Sequence, residues 1–304
     1  MTETPYHNPV LLQESVDGLA IREDGVYVDV TFGGGGHSRE ILRRLGPAGR
    51  LIAFDQDEDA LANAPEDDRF MLIHENFRYL KRFLKFYGIL KVDGILADFG
   101  VSSHQFDQAE RGFSTRLEGE LDMRMSRRGS LSARDVVGTY SFEQLRDLFR
   151  DYGELRNAAQ VARALINARE HEPLRTTADL REVVQPCMPR GKENKGLAQV
   201  YQAIRMEVNQ ELQVLREFLE QTPELLRTGG RLSLISYHSL EDRLAKRFIR
   251  AGKFEGEVDK DFYGNPIRPL KAVGKLIVPS EEEIRINPRA RSAKLRIAER
   301  QESK

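Results

Sequence analysis

The residues of this chain whose types and spacing could do chemistry are a run of four glycines, two strand-end carboxylates and a few polar or aromatic neighbours. Gly33–Gly36 offers backbone N–H groups with no side chain in the way, an arrangement that lets a nucleotide lie against the main chain. Gly33, Gly35 and Gly36 are candidate ligand contacts. Asp55 lies 22 residues beyond Gly33, the distance at which an acid at the tip of a second strand meets ribose hydroxyls. Phe77 follows a third apolar run and serves either as a cover for an adenine or as core. Asp98 ends a fourth run, and Tyr237 and His238 end a fifth. The single cysteine, Cys187, excludes a disulfide framework and sits in a helical stretch away from these groups, so it is not expected to be a nucleophile. The six histidines show no HxH or HExxH spacing, and no metal is expected.

Elements able to position these groups are legible. Val26, Val28 and Val30 alternate with Tyr27 and Asp29 and run into the glycines, which reads as a strand breaking into a turn. A helix follows, with apolar Ile41, Leu42 and Leu45, Ser38 as its expected cap and Gly46 at its end. Further strands are expected at Leu51–Phe54, Phe70–Ile73, Val92–Ala97 and Arg231–Tyr237, with helices at Pro9–Leu19 and Phe77–Phe86 and at Ser239–Arg250, capped by Ser239. Such alternation predicts a parallel, doubly wound α/β sheet whose ligands sit at the C-terminal ends of the strands. Lys275–Val278 and Ala293–Ala298 can add an antiparallel end. Between the fourth and fifth strands, Phe106–Gly129 reads as a loop and residues 132–206 hold only helical patterns, so 106–206 are expected to be an inserted all-helical domain between 1–105 and 207–304. Leu197–Leu226 reads as one long helix, and Asp259–Pro269 as a loop.

Composition bounds the partners. At 40% hydrophobic and 31% charged residues the chain is of ordinary globular type. Its start shows no leader pattern and no apolar run reaches membrane-spanning length, so a cytoplasmic protein with no membrane partner is expected. The net charge of −1 conceals a division: residues 243–304 carry 16 Lys/Arg against 9 Asp/Glu. A basic section on an acidic body suits a polyanion.

Three nucleotide classes use this architecture. A phosphate-binding P-loop needs a lysine after its glycines, where this chain has His37-Ser38, and a dinucleotide fingerprint needs glycine where Ser38 stands. S-adenosylmethionine needs a glycine turn, a ribose acid, an aromatic residue over adenine and a polar residue ending the fourth strand, and all four are present. The segments DVTFGGGGHS (29–38), DFGVSSHQFD (98–107), ERGFS (110–114), LDMRM (121–125), QAIRMEVNQEL (202–212), GGRLSLISYHSLEDRLAKRF (229–248) and NPRARSAKLRIAER (287–300) resemble the small-subunit ribosomal RNA cytosine-N4 methyltransferases, the RsmH or MraW family, over nearly the whole chain in order. The resemblance implies a class I methyltransferase (Rossmann-like doubly wound sheet with an antiparallel end) carrying an inserted helical domain. It also implies a cytidine in the decoding region of 16S rRNA as acceptor. In the family the methyl donor is held by residues matching Gly35, Gly36, His37, Asp55, Phe77, Asp98 and Gln105. Two departures stand out: Gly34 replaces a side chain often seen inside the glycine motif, and Lys195–Val200 differs from the family's usual form.

Cytosine's exocyclic amine is a poor nucleophile because its lone pair is delocalised into the ring. Attack on a sulfonium methyl therefore needs in-line positioning and an acceptor for the N4 proton, without a covalent intermediate. Asp98 is the candidate, as acceptor or as a group orienting the donor. Base methylation also needs the base out of its stack. Tyr237 and His238 are better placed for this than Phe99 or Phe113, and His238 serves equally as a structural histidine. Arg111–Arg128 and Arg285–Arg300 could embrace the rRNA backbone, within the small subunit. Oligomeric state, a homodimer included, is left open, as are another RNA base or a protein side chain as the methyl acceptor and a non-catalytic assembly role.

Overall fold

The computed structural model describes residues 9–302; the first eight, on which the leaderless reading partly rests, lie outside it. The chain begins with α1 (Leu12–Gly18), β1 (Val26–Asp29), α2 (Gly36–Arg44), β2 (Arg50–Asp55), β3 (Phe70–His74), α3 (Leu80–Phe86) and β4 (Val92–Asp98). A helical block follows: α4 (Ser103–Asp107), α5 (Ala133–Thr139), α6 (Phe142–Asp151), α7 (Ala158–His171), α8 (Thr177–Val184) and α9 (Glu193–Val208). Then come α10 (Glu211–Leu225), β5 (Leu226–Ser236), α11 (Ser239–Ala251), β6 (Leu270–Ile277), α12 (Glu281–Ile286) and β7 (Lys294–Arg300). Two compact units result, one running to Gly100 and resuming at Leu212, the other spanning Val101–Glu211.

The first unit is built on a seven-stranded sheet in the order β3-β2-β1-β4-β5-β7-β6. β1 to β5 are parallel, and β7 runs antiparallel between β5 and β6. Apolar residues cover both sheet faces, which is why the strands read as nearly continuous hydrophobic runs. Val28, Ile52, Phe54, Ile95 and Leu234 pack against Leu84 of α3, Phe218 of α10 and Phe248 of α11. Tyr27, Leu51 and Leu96 face the other way, against Val16 of α1 and Ile41 and Leu45 of α2. The strand order reverses between β1 and β4, and such a switch point opens a ligand crevice at the carboxyl ends of those strands.

Cores and caps define the helical unit. Val136, Leu145, Phe149, Val161, Leu165, Leu180, Val200 and Ile204 form its buried centre. Reciprocal capping boxes start α4 at Ser102, α5 at Ser132, α6 at Ser141 and α8 at Thr176.

The long helix expected over Leu197–Leu226 is broken after Val208. Asn209 accepts from Met125 N–H (2.7 Å) and donates to the Met123 carbonyl (2.8 Å), and Gln210 adopts a left-handed φ of 51°. Tertiary bonds to a neighbouring segment outweigh helical periodicity here. The segment expected as a loop from Phe106 contains the end of α4 and a short 3₁₀ turn, Ala109–Arg111. The strand expected at Arg231–Tyr237 begins earlier, at Leu226, and takes in Gly229 and Gly230, where its register with β4 shifts. Among the described residues no helix is long and apolar enough to cross a membrane.

Candidate functional site

Strand β1 delivers the chain into the glycine turn. Phe32 N–H donates to the Phe54 carbonyl (2.9 Å), and Gly35 N–H to the Phe32 carbonyl (2.7 Å). Gly35 precedes α2 with φ 76°, and a Cβ there would stand 2.9 Å from the Phe32 ring. At Gly36, a Cβ would lie 2.1 Å from Pro9 Cγ. Glycine is thus required by backbone conformation at one position and by close approach at the next. Ser38 is not the cap that its type suggests: α2 begins at Gly36, and the buried Ser38 hydroxyl donates to Asp29 Oδ2 at 2.7 Å. A carboxylate buried within the sheet needs donors, and Ser38 is directed there instead.

Three carboxylates converge on the carboxyl ends of β1, β2 and β4. Asp55, the last residue of β2, accepts from Gly33 N–H at 2.7 Å and from Asp57 N–H at 2.8 Å, so it also braces the glycine turn. Burial pushes its pKa up to about 6, against the opposing pull of those two bonds. Asp98 ends β4. Its amide donates to Thr31 Oγ1 at 2.7 Å, and its carboxylate accepts from the Tyr237 hydroxyl at 2.8 Å. The nearest cationic candidate is His37, whose Nδ1 lies 4.0 Å from Asp98 Oδ2 while Nε2 is 3.2 Å from the Val10 carbonyl. Burial pushes Asp98 up to about 6 as well, with His37 and the Tyr237 bond acting against it. Asp29 is fully buried, and burial likewise holds it above the ordinary carboxylate range despite His37 and the Ser38 and Thr31 bonds. Among the described residues, none of the three forms an ion pair with lysine or arginine.

Tyr237 and His238 follow β5. The Tyr237 ring packs on Val10, Leu11, Ile235 and Ala290 with its hydroxyl on Asp98. Burial and the Asp98 charge hold that phenol well above its ordinary pKa. His238, rather than Ser239, is the N-cap of α11: its Nδ1 accepts from Glu241 N–H at 3.4 Å, and its Nε2 stands 3.0 Å from Glu241 Oε1. The other Glu241 oxygen accepts from Tyr237 N–H at 2.9 Å. The pair therefore forms a braced corner at the end of β5.

Phe77 is half-buried, edge-on to Phe218 (5.3 Å) and tilted against Phe99 (6.3 Å). Phe99 is core. Gln105 lies in the helical unit, where its side chain closes the α4 capping box by accepting from Ser102 N–H at 3.1 Å. Phe113 is buried in that unit's core, and Cys187 occupies a 3₁₀ turn there, its thiol pKa raised by burial. Many guanidinium groups of the basic segments are engaged internally. Buried Arg111 donates to the Arg124 and Met125 carbonyls, Arg124 pairs with Asp122, Arg285 with Glu282 and Arg296 with Asp242.

Sequence reasoning missed Asp29 and Thr31. The signal for Asp29 was present, an acid ending the first strand with a serine nine residues on, whereas nothing marked Thr31 as a partner of the Asp98 amide. Together the groups make an acidic, partly buried crevice beside a side-chain-free turn. Partly desolvated carboxylates without a lysine or arginine partner favour a ligand that brings its own positive charge, and the glycine turn suits an adenosine moiety lying against the backbone.

The MraW methylase family model matches residues 4–301. "Ribosomal RNA small subunit methyltransferase H" of Flavobacterium johnsoniae is 66% identical over 299 residues, covering 98% of this chain and 99% of that one. The proteins of the same name from Amoebophilus asiaticus (97% of this chain, 96% of that one) and Bacteroides thetaiotaomicron (98% of each) are 58% and 54% identical. Among solved structures, a putative rRNA methylase from Clostridium thermocellum is similar at 12% identity with a TM-score of 0.44, over 97% of this chain and 98% of that one.

Proposed function

Because the chain belongs to the MraW methylase family, we propose that it methylates the exocyclic N4 of one cytidine in the decoding region of 16S rRNA. It is an S-adenosylmethionine-dependent methyltransferase of small-subunit rRNA, and its place of action is the cytoplasm, where that rRNA is assembled. The observation that carries the chemical reading is the cluster of Asp29, Asp55 and Asp98, raised in pKa by burial and, among the described residues, without a lysine or arginine partner, around a turn that excludes side chains.

Gly33, Gly35, Gly36, His37, Asp55, Phe77 and Asp98 are the residues of the sheet unit that would hold the donor, which supplies an electrophilic methyl group on a cationic sulfur. Asp55 has lone pairs left for ribose hydroxyls after taking the Gly33 and Asp57 amides. Half-buried Phe77 is the aromatic residue that would lie against a purine. Asp98, with a pKa near 6, is mostly ionised at neutral pH yet basic enough to take a proton from an amine that turns acidic as its lone pair is committed. Tyr237 donates to Asp98 and keeps one carboxylate oxygen fixed. His238 is a structural support for this corner through Glu241. Position is tested by digesting rRNA from unmodified small subunits treated with the protein and labelled donor. Label confined to one cytidine of the decoding region supports the reading, and label in another region removes it.

A further inference from the structure

The stretch Phe77–Lys91 contains Arg78, Lys81, Arg82, Lys85 and Lys91 and no acidic residue. Its first half packs on the sheet through Leu80 and Leu84 of α3. Beyond them Ile89 also packs there, but Phe86 is 78% and Leu90 71% exposed, Tyr87 is exposed beside them, and the two aromatic rings meet edge-on at 5.1 Å. Helix α10 answers part of the charge. Arg78 pairs with Glu217, Lys81 pairs with Glu224, and Lys91 donates to the Glu224 carbonyl. Arg82 and Lys85 are exposed and, among the described residues, form no ion pair, and Lys81, Lys85 and Lys91 all act on the one Glu224 carboxylate. The surface therefore keeps a positive excess next to bare aromatic and aliphatic side chains.

We propose that this surface is a second rRNA contact, remote from methyl transfer, in which Arg82 and Lys85 meet phosphates and Phe86, Tyr87 and Leu90 lie against unpaired bases. Cations beside exposed rings are what an unstructured or splayed RNA segment requires, since stacking is tolerant of sequence and phosphates supply the charge. The inference rests on the rRNA-methylating reading above and extends it. Topology separates the far end of the patch from the reacting groups: Leu90 and Lys91 precede β4 and Asp98 ends it, so the seven residues of β4 put that end about 20 Å from Asp98. The patch thus serves affinity for the substrate and leaves the chemical step untouched.

Arg82→Gln/Lys85→Gln and Phe86→Ala/Leu90→Ala, all at exposed positions, test it with unmodified small subunits as substrate. For each double variant the expected result is a KM for the subunit raised about tenfold at moderate salt, with kcat and donor affinity unchanged. The charge variant should also lower the salt slope of kcat/KM by about 1.4, for two single-strand phosphate contacts. Unchanged KM and slope overturn the proposal, as does retained RNA activity accompanied by lost binding to anionic lipid vesicles, which would assign the patch to a membrane surface. The chain has no tryptophan, so Phe86→Trp gives a lone indole whose salt-sensitive quenching by 16S rRNA reads binding without turnover. Quenching by an rRNA that the protein cannot methylate would overturn the functional reading and keep this contact. Full turnover with an unresponsive indole would do the reverse.

Discussion

Replacing Tyr237 by phenylalanine removes one hydroxyl and leaves the ring packed on Val10, Leu11, Ile235 and Ala290. What is lost is the 2.8 Å bond that Tyr237 donates to Asp98. Hydrogen bonds to a charged group are worth about 1.5–3 kcal/mol, and this one favours the ionised carboxylate. At about 1.4 kcal/mol per pKa unit, its loss raises Asp98 by about 1–2 units. Since Asp98 starts near 6, the acid limb of the pH profile should move to about 7–8. The assay is kcat/KM for the donor against pH, which reports the free enzyme, with donor affinity measured separately at alkaline pH. Tyr237→Phe should be slowed about two- to tenfold at neutral pH and recover towards wild type as pH rises. An acid limb that stays in place would refute the idea that Tyr237 tunes Asp98, and a uniform loss at every pH would assign it to shape alone.

Asp98→Asn should lose far more turnover than donor affinity, because the amide keeps the shape but cannot take the N4 proton; equal losses measured by calorimetry and turnover would reassign Asp98 to donor binding. Stability without donor should fall as pH rises from about 4 to 7: Asp29, Asp55 and Asp98 have folded pKa values raised above the unfolded ones, so the native state binds more protons in that window. Asp55 and Asp98 each contribute about 1–3 kcal/mol of this fall, and denaturant titrations that rise with pH instead would contradict it. Gly35→Ala adds a Cβ 2.9 Å from the Phe32 ring at φ 76°, which should weaken donor binding at least tenfold and lower stability by about 1–3 kcal/mol.

Sequence made the parallel strands legible because each is a buried apolar run ended by a polar residue at the same edge of the sheet. Asp55 and Asp98 could be placed at strand ends for that reason. Local preference misled where a tertiary need competed with it. Ser38 has the side chain of a cap but answers the buried Asp29; Ser239 yields the cap of α11 to His238. Apolar periodicity continues through Asn209, where bonds to Met123 and Met125 end α9. That the Tyr237 hydroxyl reaches Asp98 follows from β4 and β5 being neighbours in register, which no local pattern reveals. Charge counts also do not show that Arg111, Arg124 and Arg296 have partners within the protein.

The most direct test of the account is mass spectrometry of nucleosides from unmodified small ribosomal subunits after incubation with the purified protein and methyl-labelled S-adenosylmethionine. The account predicts label in N4-methylcytidine and none when Asp98→Asn replaces the wild-type protein. Label on a carbon or ribose oxygen, on another base, or on no nucleoside despite bound donor would contradict it.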